Sequence, residues 1–167
     1  MKRVTISLTF LLVICISGLP TLAQNKAVTG FDKLKSLVGE WQGKSKEGKN
    51  VTVTYELVSN ESVLLERLAS ENEPNMITMY HLDGDHLMMT HYCTAKNQPR
   101  MRAEFGKDDN PVLQFEFIDA TNLAKATDGH MHRMAITFID DDHVTHEWTW
   151  RQNEQENVTR FELERKK

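Results

Sequence analysis

From residue 40 onward, apolar and polar side chains alternate with a period of two, and turn chemistry interrupts the alternation at short, even intervals. Ten strand candidates follow, over residues 40–46, 51–58, 62–70, 75–82, 86–93, 99–105, 112–118, 130–139, 143–152 and 158–165. Between them stand Glu47-Gly48-Lys49-Asn50, Ser59-Asn60-Glu61, Asp83-Gly84-Asp85, residues 106–111, Asp140-Asp141-Asp142 and residues 153–157. Links this short cannot carry crossover helices, so neighbouring strands run antiparallel. Closing such a meander removes its exposed edges and leaves an interior for a small ligand. The expected fold is therefore all-β, a ten-stranded antiparallel up-and-down β-barrel. An open sandwich with a filled core shares the same spacing.

Ahead of the strands, Phe31, Leu34, Leu37 and Val38 fall on one helical face, with Asp32 early and Gly39 as a stop. This predicts a short helix of about two turns, preceded by a flexible lead-in over residues 24–30. The one long connection, residues 119–129, has the length of a functional rim or lid.

The first residues read differently. Lys2 and Arg3 precede the apolar run 10–16, Gly18 and Pro20 break it, and Thr21-Leu22-Ala23 offers small residues for cleavage. Residues 1–23 are expected to be a secretory signal peptide, with a single barrel domain over 31–167. The apolar run is too short for a bilayer span of ~20 residues. Cys15 follows a bulky Ile14, which argues against a lipoprotein signal. Removing residues 1–23 takes two of the 20 Lys and Arg and none of the 24 Asp and Glu, leaving 18 against 24, a formal charge of −6. An acidic chain has no electrostatic case for nucleic acid or an anionic membrane surface. Cys93 is then the only cysteine, so a hydrophobic core and not a disulfide must hold the fold. Three glycosylation sequons, at Asn50, Asn60 and Asn157, are short patterns common by chance.

Gly39-Glu40-Trp41-Gln42-Gly43, placed after a short helix and opening the first strand, resembles the Gly-x-Trp start of lipocalin-like barrels and of nitrobindins. Thr78-Met79-Tyr80-His81, Thr90-His91-Tyr92-Cys93, Asn97-Gln98-Pro99-Arg100-Met101, Thr121-Asn122-Leu123, His130-Met131-His132 and Glu147-Trp148-Thr149 resemble a group of uncharacterised bacterial secreted proteins along nearly the whole mature chain. That resemblance implies a lipocalin-like barrel and no particular activity.

Strand parity assigns the faces. With Asp83-Gly84-Asp85 as a three-residue loop, Leu82 faces His86, and Ile77, Met79, His81, Leu87, Met89, His91 and Cys93 share the inner face; a two-residue turn would shift the register by one. His81 and His91 then stand ~13 Å apart at strand rise, too far to share a metal. With Asp140-Asp141-Asp142 as a loop, Phe138 faces Val144, Ile136 faces His146, Met134 faces Trp148 and His132 faces Trp150. His130 and His132 share that inner face.

Several chemistries fit parts of this pattern. His130 and His132, at i and i+2, present two imidazoles to a metal, but no Glu follows at the cupin spacing. The competing reading is a hydrogen-bonded pair. His91 and Cys93 share a face as a nucleophilic dyad would, yet no oxyanion site accompanies them, and a buried Cys is most often a small core residue. For haem, Ser45 stands where nitrobindins continue with Gly, and the last strand lacks the histidine that family uses as proximal ligand. No cofactor is specified. The sequence is best read as a secreted or periplasmic barrel that binds a small, mostly apolar molecule with a polar end. His81, Met79, Met89, His91 and Cys93 are expected to line its cavity, with Arg100 at one strand end. His130, His132, Trp148 and Trp150 complete the set. The rival reading is an enzyme using the inward histidines as acid and base.

N-terminal sequencing of the exported protein should begin at Gln24. A diacylglycerol-modified Cys15 would overturn both the cleavage site and the soluble product.

Overall fold

A computed structural model describes residues 22–46, 48–105 and 112–167, with side chains from Lys26 onward. Among them, one helix, α1 (Leu22–Lys35), precedes ten strands. These are β1 (Gly39–Ser45), β2 (Asn50–Val58), β3 (Val63–Ser70), β4 (Met76–Asp83) and β5 (His86–Tyr92). There follow β6 (Gln98–Glu104), β7 (Val112–Thr121), β8 (His130–Phe138), β9 (His143–Gln152) and β10 (Gln155–Arg165). Each strand pairs antiparallel with its neighbours in sequence, and β1 pairs with β10, so the sheet closes into a barrel. Each expected strand is present within a few residues of its expected bounds. The signal peptide and the 106–111 link fall outside the described residues, apart from the last two positions of the former.

The helix corrects one expectation. Residues 24–30 are helical and not a flexible lead-in. Ala27, Phe31 and Leu34 are buried at i, i+4 and i+7, which extends the apolar face about one turn earlier. Gly30 lies against Leu87 and Phe105, where even a methyl group would press within 2.9 Å of Phe105. Lys33, in the last turn of the helix, lies over the Phe138 ring, and Leu37, two residues past the helix, accepts from Trp41. Leu87, Phe105, Phe138 and Trp41 all stand at one end of their strands, so α1 caps that end of the barrel.

The seam between first and last strands depends on the Gly-x-Trp-x-Gly segment. Gly39 has φ +125°, which side chains rarely adopt, and a Cβ there would approach the Arg165 guanidinium at 3.4 Å. Gly43 pairs with Leu163, and a Cβ would sit 1.9 Å from the Glu162 carbonyl oxygen. Between the two glycines, Trp41 is fully buried and donates its indole N–H to the Leu37 carbonyl at 2.7 Å.

Two registers decide which side chains reach the interior. In β4–β5 the pairs are Leu82 with Leu87 and Asp83 with His86, so the loop has two residues, Gly84 and Asp85. A positive-φ glycine (φ +60°) in the first central position is the arrangement of a II′ hairpin. The one-residue shift turns Met76, Thr78 and Tyr80 inward and sends Ile77, Met79 and His81 outward. On β5 the expected face stands: Leu87, Met89 and His91 are buried. In β8–β9 the expected pairs Phe138–Val144, Ile136–His146 and Met134–Trp148 all form. A bulge at His132 then breaks the alternation, and Met131 instead of His132 pairs with Trp150.

Trp41→Ala should cost ~3–5 kcal/mol, because a buried aromatic is lost and a cavity remains. Urea unfolding measures this, and a change below about 1 kcal/mol, the range of surface substitutions, would remove Trp41 from the closure.

Candidate functional site

Inside the barrel a row of cross-strand partners is polar. Tyr55 on β2 pairs with Glu66 on β3, Glu66 with Thr78 on β4, and Thr78 with His91 on β5. All four are buried, and Tyr80, one inward position from Thr78, is fully enclosed. Tyr80 donates its hydroxyl to Glu66 Oε2 at 2.6 Å, and the Tyr55 hydroxyl and His146 Nε2 share a hydrogen bond of 2.9 Å. Thr78 Oγ1 and His91 Nδ1 share a hydrogen bond of 3.0 Å. The His91 ring leans on Trp148, centroids 4.5 Å apart.

This row separates two regions. Towards α1 the interior is packed with Trp41, Tyr80, Leu87 and Met89. At the other end of the strands a cavity of about 220 Å³ opens. Leu68, Met76, Met131 and Phe161 give it apolar walls, His91 and Trp148 add their rings, and Ser45, Ser70, Thr159 and the Lys49–Glu73 ion pair stand around it. A wider hollow of about 750 Å³ lies outside the barrel over β1, β2, β9 and β10. It is a groove whose lining is largely exposed side chains such as Gln42, Lys44, Thr52 and Glu162.

His91 Nε2 and Trp148 Nε1, both in buried side chains of the cavity wall, have no hydrogen-bond partner. Deeper in, Glu66 Oε1 and His146 Nδ1 are also unpaired. A buried polar atom left unpaired costs ~1–3 kcal/mol, so such atoms gathered in one interior need an explanation. Burial pushes the Glu66 carboxyl up to about 7, against the smaller opposing effect of its tyrosine hydrogen bonds. Burial also pushes His91 down to about 4 and His146 to about 3, so both imidazoles are neutral near pH 7.

Of the residues expected to line the cavity, His91 and Trp148 do. Met89 is buried deeper in the core, and Cys93 is partly buried against it. Met79 and His81 point outward through the register shift, and the His81 ring bonds the Leu82 carbonyl on the surface. Arg100 also faces outward, held bidentate by Asp119. His130 Nε2 and His132 Nδ1 bond each other at 3.2 Å, both rings lie against Phe117, and His130 bonds the Asp128 carbonyl at 2.8 Å. Burial, with Arg151 and His130 nearby, lowers the His132 pKa. The bulge carries this pair away from the cavity. Trp150 packs over Gly129. The four histidines expected around one cavity are therefore dispersed, and among the described residues no third His, Cys, Asp or Glu joins any pair as a metal cluster.

Glu66, Tyr55, Thr78, Tyr80 and His146 are the polar interior that sequence reading did not assemble. Glu66 had a signal: it sits at the inward parity of Leu64 and Leu68. Thr78 and Tyr80 were hidden by the register error.

No protein-family model matches the chain, and no curated protein matches it. Among solved structures, it is similar to a protein of unknown function from the DUF3598 family of Nostoc punctiforme, at 11% identity and a TM-score of 0.46. The match covers 80% of this chain and 49% of that one, so the chain spans about half of that protein's length. A likeness of that size says nothing about ligand or chemistry. No helix among the described residues is long and apolar enough to cross a membrane.

The interior fixes a pH dependence. Glu66 holds its proton in the fold up to about 7, while the unfolded chain releases it near 4.5, so its contribution to stability falls as pH rises through that window. His91 and His146 stay neutral in the fold while their unfolded forms protonate near 6.5, so their contribution is complete above 6.5 and is lost as pH falls towards about 4 and about 3. Between 4.5 and 6.5 two imidazoles oppose one carboxyl, and these groups together make stability rise with pH. Glu66→Gln should steepen that rise by up to ~1.4 kcal/mol per pH unit, one proton's worth. Urea unfolding across pH 4.5–7 measures it. An unchanged slope would mean that Glu66 is ionised in the fold.

Proposed function

We propose that this protein is an exported member of the bacterial group its motifs resemble, and that it holds one small, mostly apolar molecule with a polar end in the cavity at the open end of the barrel. The observation that carries the reading is the cavity itself, where the buried rings of His91 and Trp148, each with a nitrogen that has no partner, stand beside the apolar side chains of Leu68, Met76, Met131 and Phe161. Apolar walls with a few placed polar groups are the usual make-up of a small-molecule site. The basic, apolar and small-residue succession over residues 1–23 supports export.

Volume limits the occupant. Drug-sized ligands occupy ~300–1,000 Å³, and a 150 Å³ engineered cavity takes benzene. A cavity of about 220 Å³ suits a single ring with a short substituent, on the order of ten non-hydrogen atoms.

Native mass spectrometry of protein purified from its own source should show one retained small molecule. Met131→Trp, which fills the cavity from β8, should abolish retention while leaving the β-sheet circular dichroism signal in place. Retention unchanged in that variant would place the ligand elsewhere and overturn the reading.

A further inference from the structure

We infer that the outer wall formed by β3, β4 and β5 docks a second copy of this chain, in an isologous dimer whose two-fold axis runs along β4.

The register that takes Met79 and His81 out of the interior puts them on this wall. On β4, Ile77, Met79 and His81 point outward. Beside them β3 presents Val63, Leu65 and Arg67, and β5 presents Met88, Thr90 and Tyr92. Six of these nine side chains are apolar or aromatic. Other parts of the outer wall are polar, as on a sheet face turned to water. The outward residues of β1 are Glu40, Gln42 and Lys44, and those of β10 include Arg160, Glu162 and Glu164. The β3–β5 wall departs from that pattern, and a contiguous apolar patch rimmed by polar residues marks an interaction surface.

The patch complements itself, which identifies the occupant. Cross-strand pairing aligns Val63 with His81 and Met88, Leu65 with Met79 and Thr90, and Arg67 with Ile77 and Tyr92. A two-fold along β4 exchanges the β3 and β5 columns at equal height. Val63 then meets the partner's Met88, Leu65 meets the partner's Thr90, and Ile77 and Met79 lie on the axis against their own copies. Arg67, the one cation of the nine, meets the partner's Tyr92. Tyr92 is 44% exposed, and Arg67 is exposed with no hydrogen-bond, ion-pair or ring partner among the described residues. A guanidinium over a tyrosine ring is a favourable contact. A two-fold across the strands would instead set Arg67 on Val63 and cover its charge with an aliphatic chain, which is costly. Three strands by three rows measure about 14 by 20 Å. A face of that size falls at the small end of specific interfaces, below about 1,200 Å² in total, so the dimer is weak and reversible.

Sedimentation equilibrium of the purified protein up to about 1 mM tests this. A monomer–dimer equilibrium with a dissociation constant on the order of 100 µM is expected for so small an interface. Met79→Glu sets two carboxylates together on the axis and should weaken the dimer at least tenfold, with the β-sheet circular dichroism signal retained. Arg67→Ala and Tyr92→Ala should each weaken it about tenfold. The double variant should lose no more than either single one, as a directly paired couple requires. Monomer at every concentration would overturn the inference. So would a dimer indifferent to Met79→Glu, additive losses for Arg67 and Tyr92, or association beyond the dimer, which a closed two-fold forbids.

Discussion

The guanidinium of Arg165 stacked on the Trp41 ring, 4.3 Å from its centroid, is the contact on which barrel closure turns. The same side chain donates to the Ser36 and Val38 carbonyls at 2.8 and 2.9 Å and to the Asp141 carbonyl at 3.1 Å. It therefore joins the last strand, the first strand, the C-terminal end of α1 and the β8–β9 loop. Cation–π stacking contributes on the order of 1 kcal/mol or more once partly desolvated, and a cation beside unsatisfied helix carbonyls adds a favourable dipole interaction. Only a planar fork can stack and donate in several directions at once, so Lys is no substitute there. Gly39 leaves the room the fork needs and Gly43 lets the closing strand approach. The short glycine–tryptophan segment is thus a set of steric conditions for one seam.

Sealing that end has a consequence for the other. With α1 packed over one mouth, the cavity opens at the other end, among the C-terminal ends of β1, β3, β5 and β9 and the N-terminal ends of β4, β8 and β10. The packed half supplies stability through Trp41, Leu87 and Met89, and the open half is free to hold a guest. A barrel filled end to end would gain more burial and lose that space. Division of the interior, more than the barrel itself, is what speaks for binding, since the fold alone is compatible with many functions.

Much of the architecture was legible in the chain because period-two alternation and turn residues are local signals. The β8–β9 register followed from three consecutive aspartates, and its pairs near the loop form as expected. What was illegible has particular causes. Asp83-Gly84-Asp85 permits a two- or a three-residue loop, and a single residue inverts a strand's faces, so Met79 and His81 exchanged places with Thr78 and Tyr80. The bulge at His132 has no local signature: no Gly or Pro marks it, and it arises where β8 must bend at the rim. The extension of α1 was masked by Ala27 and Gly30, small residues that read as a linker but are small because the helix packs closely there.

The buried row Tyr55, Glu66, Thr78 and His91 remains to be accounted for energetically. A well-packed apolar layer would stabilise the barrel at least as well, because a buried ionisable group carries a desolvation cost that its partners only partly offset. Two atoms of the layer, Glu66 Oε1 and His146 Nδ1, are still without partners, which adds to that cost. The layer is thus poor value as a source of stability. Its effect on geometry is clearer. Tyr80 gives its hydroxyl proton to the Glu66 carboxyl, Tyr55 is bonded to His146 and Thr78 to His91, so the polar groups of β2, β3, β4, β5 and β9 are tied to one another in pairs. Hydrogen bonds of this kind hold a side chain in one orientation more specifically than apolar contacts do. The side chain held at the cavity end is His91, the one histidine of the expected cluster that faces the guest space. A supporting shell that costs stability and fixes one recognition group is the pattern of a binding site more than of a structural core.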